Sequence, residues 1–295
     1  MTRPAQSSTS IEPKLAGHSG HLARLAAFRA EALLREHLPP ERSMRDVAVL
    51  CVLEGGRLSQ AELGTLLSIN RTVMTSVIDA LEADGLVQRQ RDPADRRCYA
   101  LAVRAAGRSE LATLHRAVAD VEAALLAGLD PRGRRRLVEL LRQVQPTPVS
   151  DLPAELADRA CFLLDPAAQC LRARSVQMLQ EHGLTPRCVR LLLALEAGQP
   201  CPQEQLARSL ALAAPSIVGD LDEMHTHGLI LRERNPADRR AYVLRLSPSG
   251  QRYLADAVAV EHAAQRALEH ALGRAEVQEL NHLLTDLACA PTGNR

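Results

Sequence analysis

The chain has 295 residues, a formal net charge of +1, 46% apolar and 24% charged residues, an ordinary balance for globular chains with length enough for two domains. No stretch approaches the roughly 20 apolar residues of a membrane span, and Met1-Thr2-Arg3-Pro4 begins no apolar signal region, so a cytoplasmic protein with no membrane partner is expected. Two Phe, three Tyr and no Trp leave Leu, Ala and Val to build the core, which favours helices over sheets.

Residues 1–20 read as a flexible tail, followed by an apolar helical segment over 21–37. A helix over 44–53 is stopped by Gly55-Gly56. Ser59 with Glu62 three residues later is a capping box, opening a helix over 60–67. Asn70 is a suitable N-cap for the next helix, over 71–83, in which Val73, Val77, Ile78 and Leu81 recur at helical spacing before Asp84-Gly85 ends it. Residues 86–91 and 98–103 alternate apolar and polar side chains around Asp92-Pro93-Ala94-Asp95, the pattern of a β-hairpin. A long helical segment covers 109–144, and Pro146 and Pro148 mark a linker. The order then repeats: helical segments over 156–182, 203–210 and 215–226, a hairpin over 232–246, and a helical segment over 251–287.

The repetition is literal. The 17 residues 85–101 recur at 228–244 with 11 identities, and this offset of 143 residues holds without a gap from Leu58/Cys201 through Gly107/Gly250. The chain is therefore a duplication, with domains expected at 21–145 and 152–290 joined by a linker at 146–151. Two helices joined by a short turn and followed by a hairpin make a winged helix-turn-helix. The flanking Leu/Ala helices carry more apolar surface than one such module covers, so they are expected to pack on each other. The fold class is mainly α with small β-hairpin wings: two winged helix-turn-helix domains plus a shared helical, dimerisation-like lobe.

Charge distribution matters more than net charge for a nucleic-acid partner. Arg89, Arg91, Arg96, Arg97, Arg104 and Arg108 form one basic stripe, and Arg232, Arg234, Arg239, Arg240 and Arg245 form another. A helix that reads base edges in double-stranded DNA needs short polar donors and acceptors in its N-terminal half. Asn70, Arg71, Thr72, Thr75 and Ser76 meet that need in the first copy. The aligned residues of the second are Ala213, Ala214, Pro215, Val218 and Gly219, with Ser216 the hydroxyl nearby, so its direct readout should be poor.

The Leu-x-x-x-Gly-Leu run from Leu81 to Leu86, the Asp-Pro-Ala-Asp-Arg-Arg hairpin tip and the following Gly107 or Gly250 resemble the MarR family, the multiple-antibiotic-resistance regulators. The resemblance implies a dimer whose recognition helices occupy successive major grooves of a pseudo-palindrome, with wings at the minor grooves. Here that dimer would be fused into one polypeptide, a monomer in solution. Asp95 with Arg97, and Asp238 with Arg240, match the family's wing-tip acid and arginine, while Arg96 and Arg239 would meet phosphates. Where the family often has Thr-Arg, this chain has Thr75-Ser76 and Val218-Gly219. The resemblance further implies a small aromatic or oxidant effector. Residues 156–164 are similar to the organic-hydroperoxide branch and align Cys161 with its peroxide-sensing thiol. Asp165 stands where that branch has an aromatic, and a small buried core residue is the other reading of Cys161.

Seven Cys without a Cys-x-x-Cys pair indicate neither a disulfide framework nor a structural zinc site. The ten His form no ligand constellation, and no phosphate loop, dinucleotide fingerprint or catalytic dyad is present, so no metal, cofactor or enzymatic reaction is expected. The function expected is a sequence-specific transcription regulator, a repressor relieved by its effector. A competing reading, from the weakened second helix, is a winged-helix protein-interaction module with weak or no specific DNA binding.

Overall fold

The computed structural model describes residues 17–91, 99–145, 148–181, 183, 185–210, 212–235 and 242–289. The first copy runs α1 (Ser19–His37), α2 (Met44–Glu54), β1 (Leu58–Ser59), α3 (Gln60–Leu66), α4 (Arg71–Ala83), β2 (Val87–Arg91), β3 (Tyr99–Val103), α5 (Ala105–Leu125) and α6 (Pro131–Gln143). The second runs α7 (Ala154–Ala157), α8 (Ala160–Glu181), α9 (Pro186–Gly198), β4 (Cys201–Pro202), α10 (Gln203–Ser209), a 3-10 turn (Ala214–Ile217), α11 (Val218–Thr226), β5 (Ile230–Arg234), β6 (Tyr242–Leu246), α12 (Pro248–Leu272) and α13 (Arg274–Cys289). No described helix is long and apolar enough to cross a membrane.

Local chemistry accounts for the boundaries. The Ser59 hydroxyl accepts from the Glu62 N–H at 3.2 Å, and the Glu62 carboxylate accepts from the Ser59 N–H at 2.7 Å, closing the capping box of α3. The long helical segments each resolve into two helices. Asp130 caps Gly133 N–H at 2.6 Å and Pro131 takes the first turn of α6, which breaks the 109–144 stretch. Gly273, at φ +99°, separates α12 from α13.

Each hairpin gains a short third strand, giving antiparallel orders β1-β3-β2 and β4-β6-β5. Leu58 and Ser59 pair with Leu101 and Ala100, and Cys201 and Pro202 with Leu244 and Val243. Two-residue strands are too short to display an alternation, which is why sequence periodicity misses them. The hairpins share one register: Val87 faces Val103 and Arg91 faces Tyr99, as Ile230 faces Leu246 and Arg234 faces Tyr242.

The compact units do not coincide with the repeats. One holds the described residues of Ser19–Arg172 and Leu272–Arg295, the other those of Met1–His18 and Ala173–Ala271. In the first, Leu22, Leu50, Leu63, Ile78, Leu81, Leu111 and Leu137 are fully buried, and α13 from the second copy packs along α1 and α6 from the first. Arg29 donates to Leu287 O at 2.6 Å and Ser19 to Asn281 Oδ1 at 2.6 Å across that contact. The buried Glu122 of α5 accepts the N–H groups of Ala160 and Cys161 at 2.8 and 3.0 Å, capping the first turn of α8. The other unit closes around Leu192, Leu206, Ile217, Leu221, Ile230 and Leu254.

Candidate nucleic-acid interface

The turn that leads each candidate recognition helix into its wing depends on one glycine. Gly85 (φ +73°) and Gly228 (φ +67°) lie in the left-handed region, where a side chain is strained. The reversal returns Leu86 N–H to Leu81 O at 2.9 Å and Leu229 N–H to Met224 O at 2.8 Å. Strand and helix are thereby held side by side.

At the start of α4, Asn70 Oδ1 accepts from Val73 N–H at 3.0 Å, so this oxygen caps the helix and the amide nitrogen is what remains for another partner. Arg71, Thr72 and Ser76 are exposed on the following turns. Thr75 is half-buried: its hydroxyl donates to Arg71 O at 2.9 Å and accepts from Gln60 Nε2 at 2.7 Å, tying α3 to α4. Of the five residues expected to read bases, three are fully displayed, one doubles as a cap, and Thr75 is committed to the helix-turn-helix itself.

The second copy is built differently at the same place. The helix expected over 215–226 begins as the 3-10 turn and becomes α-helical only at Val218, where no side chain caps it and Gly219 weakens the first turn. Ser216 Oγ donates to Ala213 O at 2.7 Å, and its carbonyl accepts from Arg187 Nη2 at 2.7 Å. Arg187 also pairs with Asp220 at 2.7 Å. Val218 is 39% exposed. Asp222 and Glu223 are exposed nearby, and the helix contains no arginine or lysine.

Arg89 and Arg232, expected at DNA, are both turned toward their own helix. The Arg89 guanidinium pairs with Asp79 at 2.5 Å and with Glu82, and its N–H donates to Glu82 Oε1 at 3.2 Å. The Asp79 carboxylate foremost, with Glu82, holds the guanidinium pKa above its ordinary value against an opposing effect of burial. Arg232 pairs with Asp222 at 2.5 Å in the same repeat register. Where the first copy has Glu82 the second has His225, whose Nδ1 donates to Ile230 O at 3.1 Å. These acids were missed in the sequence reading. Their signal is that Asp79 and Asp222, ten residues before the arginines, also obey the 143-residue offset.

The wing-tip candidates Asp95, Arg96, Arg97, Asp238, Arg239 and Arg240 lie outside the described residues. Cys161 is 3% exposed, and burial foremost, then the Glu122 carboxylate, pushes its thiol pKa well above the ordinary value. Such a thiol stays protonated and is a poor nucleophile toward peroxide. Cys51 is also buried, 3.0 Å from His115 Nε2, and burial with the Glu155 and Glu54 charges pushes it up to about 12. Among the described residues no group of three or more His, Cys, Asp and Glu side chains is arranged to hold a metal ion.

Residues 47–99 match a family model described as MarR family, and residues 182–241 match a second model of the same description. Among similar solved structures is the transcriptional repressor CouR bound to a 23-mer DNA duplex, at 30% identity over 43% of this chain and 90% of that one, with a TM-score of 0.39; CouR comes from Rhodococcus jostii RHA1. A probable transcriptional regulator from Pseudomonas aeruginosa is 31% identical over 40% of this chain and 90% of that one, with a TM-score of 0.35. The PcaV regulator from Streptomyces coelicolor, in complex with its natural ligand, is 28% identical over 44% and 93%, with a TM-score of 0.42. Both copies thus match models of the MarR family, the first over residues 47–99 and the second over residues 182–241, so the chain carries two MarR-family winged-helix regions in tandem.

Proposed function

We propose that the protein is a sequence-specific DNA-binding repressor that works as a single-chain pseudo-dimer on a lopsided pseudo-palindrome and is released by a small-molecule effector. The observation that carries DNA binding is the exposed Arg71, Thr72 and Ser76 on the first turns of α4, beside a wing whose basic sequence recurs in register in the second copy. Arg97 and Arg240, oriented by Asp95 and Asp238, would enter the minor groove, with Arg96 and Arg239 at phosphates. CouR, described as a repressor bound to duplex DNA, supports the sense of regulation.

The pseudo-dimer is supported by one ion pair. Arg136 Nε lies 2.8 Å from Glu279 Oε2, and these residues occupy the same repeat position, 143 apart. In a two-fold dimer a side chain that meets its own equivalent lies at the symmetry axis. Fusion frees the two positions to diverge, and here they carry opposite charges. An oxidant acting at Cys161 is disfavoured by that thiol's burial and raised pKa, which leaves the small-molecule effector, an expectation that rests on the family resemblance.

The acids and uncapped start of α11 favour a second reading, in which the winged helices dock protein rather than DNA. Gel shift of the DNA upstream of the protein's own gene, repeated across salt concentrations, separates the two. DNA binding gives a specific band that weakens steeply with salt, and Arg97→Ala weakens it by about 1 to 3 kcal/mol. No specific salt-dependent band would overturn the regulator reading in favour of the docking module.

A further inference from the structure

Strand alternation sorts the wing side chains into rungs on the face toward the recognition helix. In the first copy the inner rung, Val87 opposite Val103, is buried, and the middle rung carries Arg89, which reaches α4 through Asp79 and Glu82. The outer rung of the same face is Arg91 opposite Tyr99. The second copy repeats it: Ile230 opposite Leu246 is buried, Arg232 reaches Asp222 of α11, and Arg234 stands opposite Tyr242. Tyr99 is 54% and Tyr242 50% exposed, and the Arg234 guanidinium lies 4.5 Å from the Tyr242 ring centroid. Two of the chain's three Tyr thus stand exposed at one repeat position, each beside an arginine.

A helix seated in a major groove has a sugar–phosphate strand along each flank. The outer rung stands beside the recognition helix on its wing flank, held at that spacing by the Arg89 and Arg232 pairs. Resting on the DNA-binding reading above, we infer that the Arg91–Tyr99 and Arg234–Tyr242 pairs are phosphate-binding notches for that flanking strand. The guanidinium supplies charge and the phenol hydroxyl donates to a phosphate oxygen, and in the second copy the Tyr242 ring also holds the Arg234 guanidinium by its π-face. Such contacts carry no base information. That explains how the second copy retains its notch while Ala213, Ala214, Pro215, Val218 and Gly219 stand where the first copy has polar residues at the start of its helix.

The test is fluorescence anisotropy of the full chain with a labelled random-sequence duplex of about three helical turns, across salt. Arg91→Gln and Arg234→Gln should each lower affinity about five- to tenfold and reduce the slope of log K against log salt by about 0.9. Tyr99→Phe and Tyr242→Phe keep the ring and should lower affinity about fivefold with the slope unchanged. All four should leave the thermal midpoint where it was. Unchanged affinity and slope in the arginine variants, with the unmodified chain still binding in a salt-dependent way, overturns the notches alone. Silent Tyr→Phe variants, together with arginine variants that lose thermal stability, also overturn them, since the pairs would then serve only the hairpin. If the unmodified chain binds no duplex in a salt-dependent way, the DNA-binding reading falls and the notches with it.

Discussion

A Cβ added at Gly107 would collide with the Leu86 carbonyl oxygen, and one at Gly250 would collide with that of Leu229. Both contacts are backbone, so neither can be relieved by rotating a side chain. Gly107 and Gly250 therefore let α5 and α12 close onto the strand that leads into each wing. Gly107→Ala and Gly250→Ala should each lower stability by about 2 to 4 kcal/mol in urea unfolding, and an unaltered midpoint in either would show that the packing there is looser than described. At the same scale, Cys161 should be silent. Its thiol pKa is raised, so the thiolate remains scarce until pH climbs past that raised value. Hydroperoxide treatment at neutral pH should leave DNA binding intact, and Cys161→Ala should not alter that result; release of DNA that disappears in Cys161→Ala would restore the sensor reading.

Among the helices, α4 and α11 are repeat equivalents that have diverged in opposite directions. The first begins with a capped α-turn and displays donors; the second begins with a 3-10 turn and displays Val218, Asp222 and Glu223. A well-read base pair is worth about 1 to 3 kcal/mol of discrimination, whereas contacts to the backbone discriminate little. Single-base substitutions scanned across the operator should be costly in one half and tolerated in the other, and Arg71→Ala should relax the strict half. Equal penalties in both halves would mean that α11 reads bases after all, for instance through Glu223 at a cytosine amino group.

For the whole molecule, the proposed pseudo-dimer would have an interface with two distinct sides where that of a homodimer is self-complementary. Arg136 and Glu279 share a repeat position, so exchanging their charges is a sharp probe. Glu279→Arg should set two arginines against each other and lower the unfolding midpoint, while Arg136→Glu with Glu279→Arg should recover part of the loss, the remainder reflecting the pair that Arg136 also makes with Glu139. Light scattering should give the mass of one chain with and without DNA. A stable particle of twice that mass would show that the two modules do not complete each other within one polypeptide.

The duplication, the capping box of α3, the Asn70 cap and both hairpins were legible in the sequence, because each depends on residues within a few positions of one another or on an offset that alignment reveals. The same holds for Arg71, Thr72 and Ser76, whose exposure follows from helical spacing. Tertiary structure decided the rest. Arg89 and Arg232 were grouped with the DNA-facing arginines by charge alone, and only the proximity of strand and helix reveals the carboxylates that hold them. Thr75 fitted the recognition pattern, yet Gln60, 15 residues earlier, engages its hydroxyl. The two-residue strands arise from pairing across more than 40 residues, which no local pattern encodes. Cys161 carried the alignment of a sensor, but its chemistry is governed by Glu122, 39 residues away, and by burial. Local sequence determines caps, turns and periodicity, because those energies act between neighbours along the chain. Which charges are already paired, and which thiols are sealed from water, is decided by what folding brings beside them.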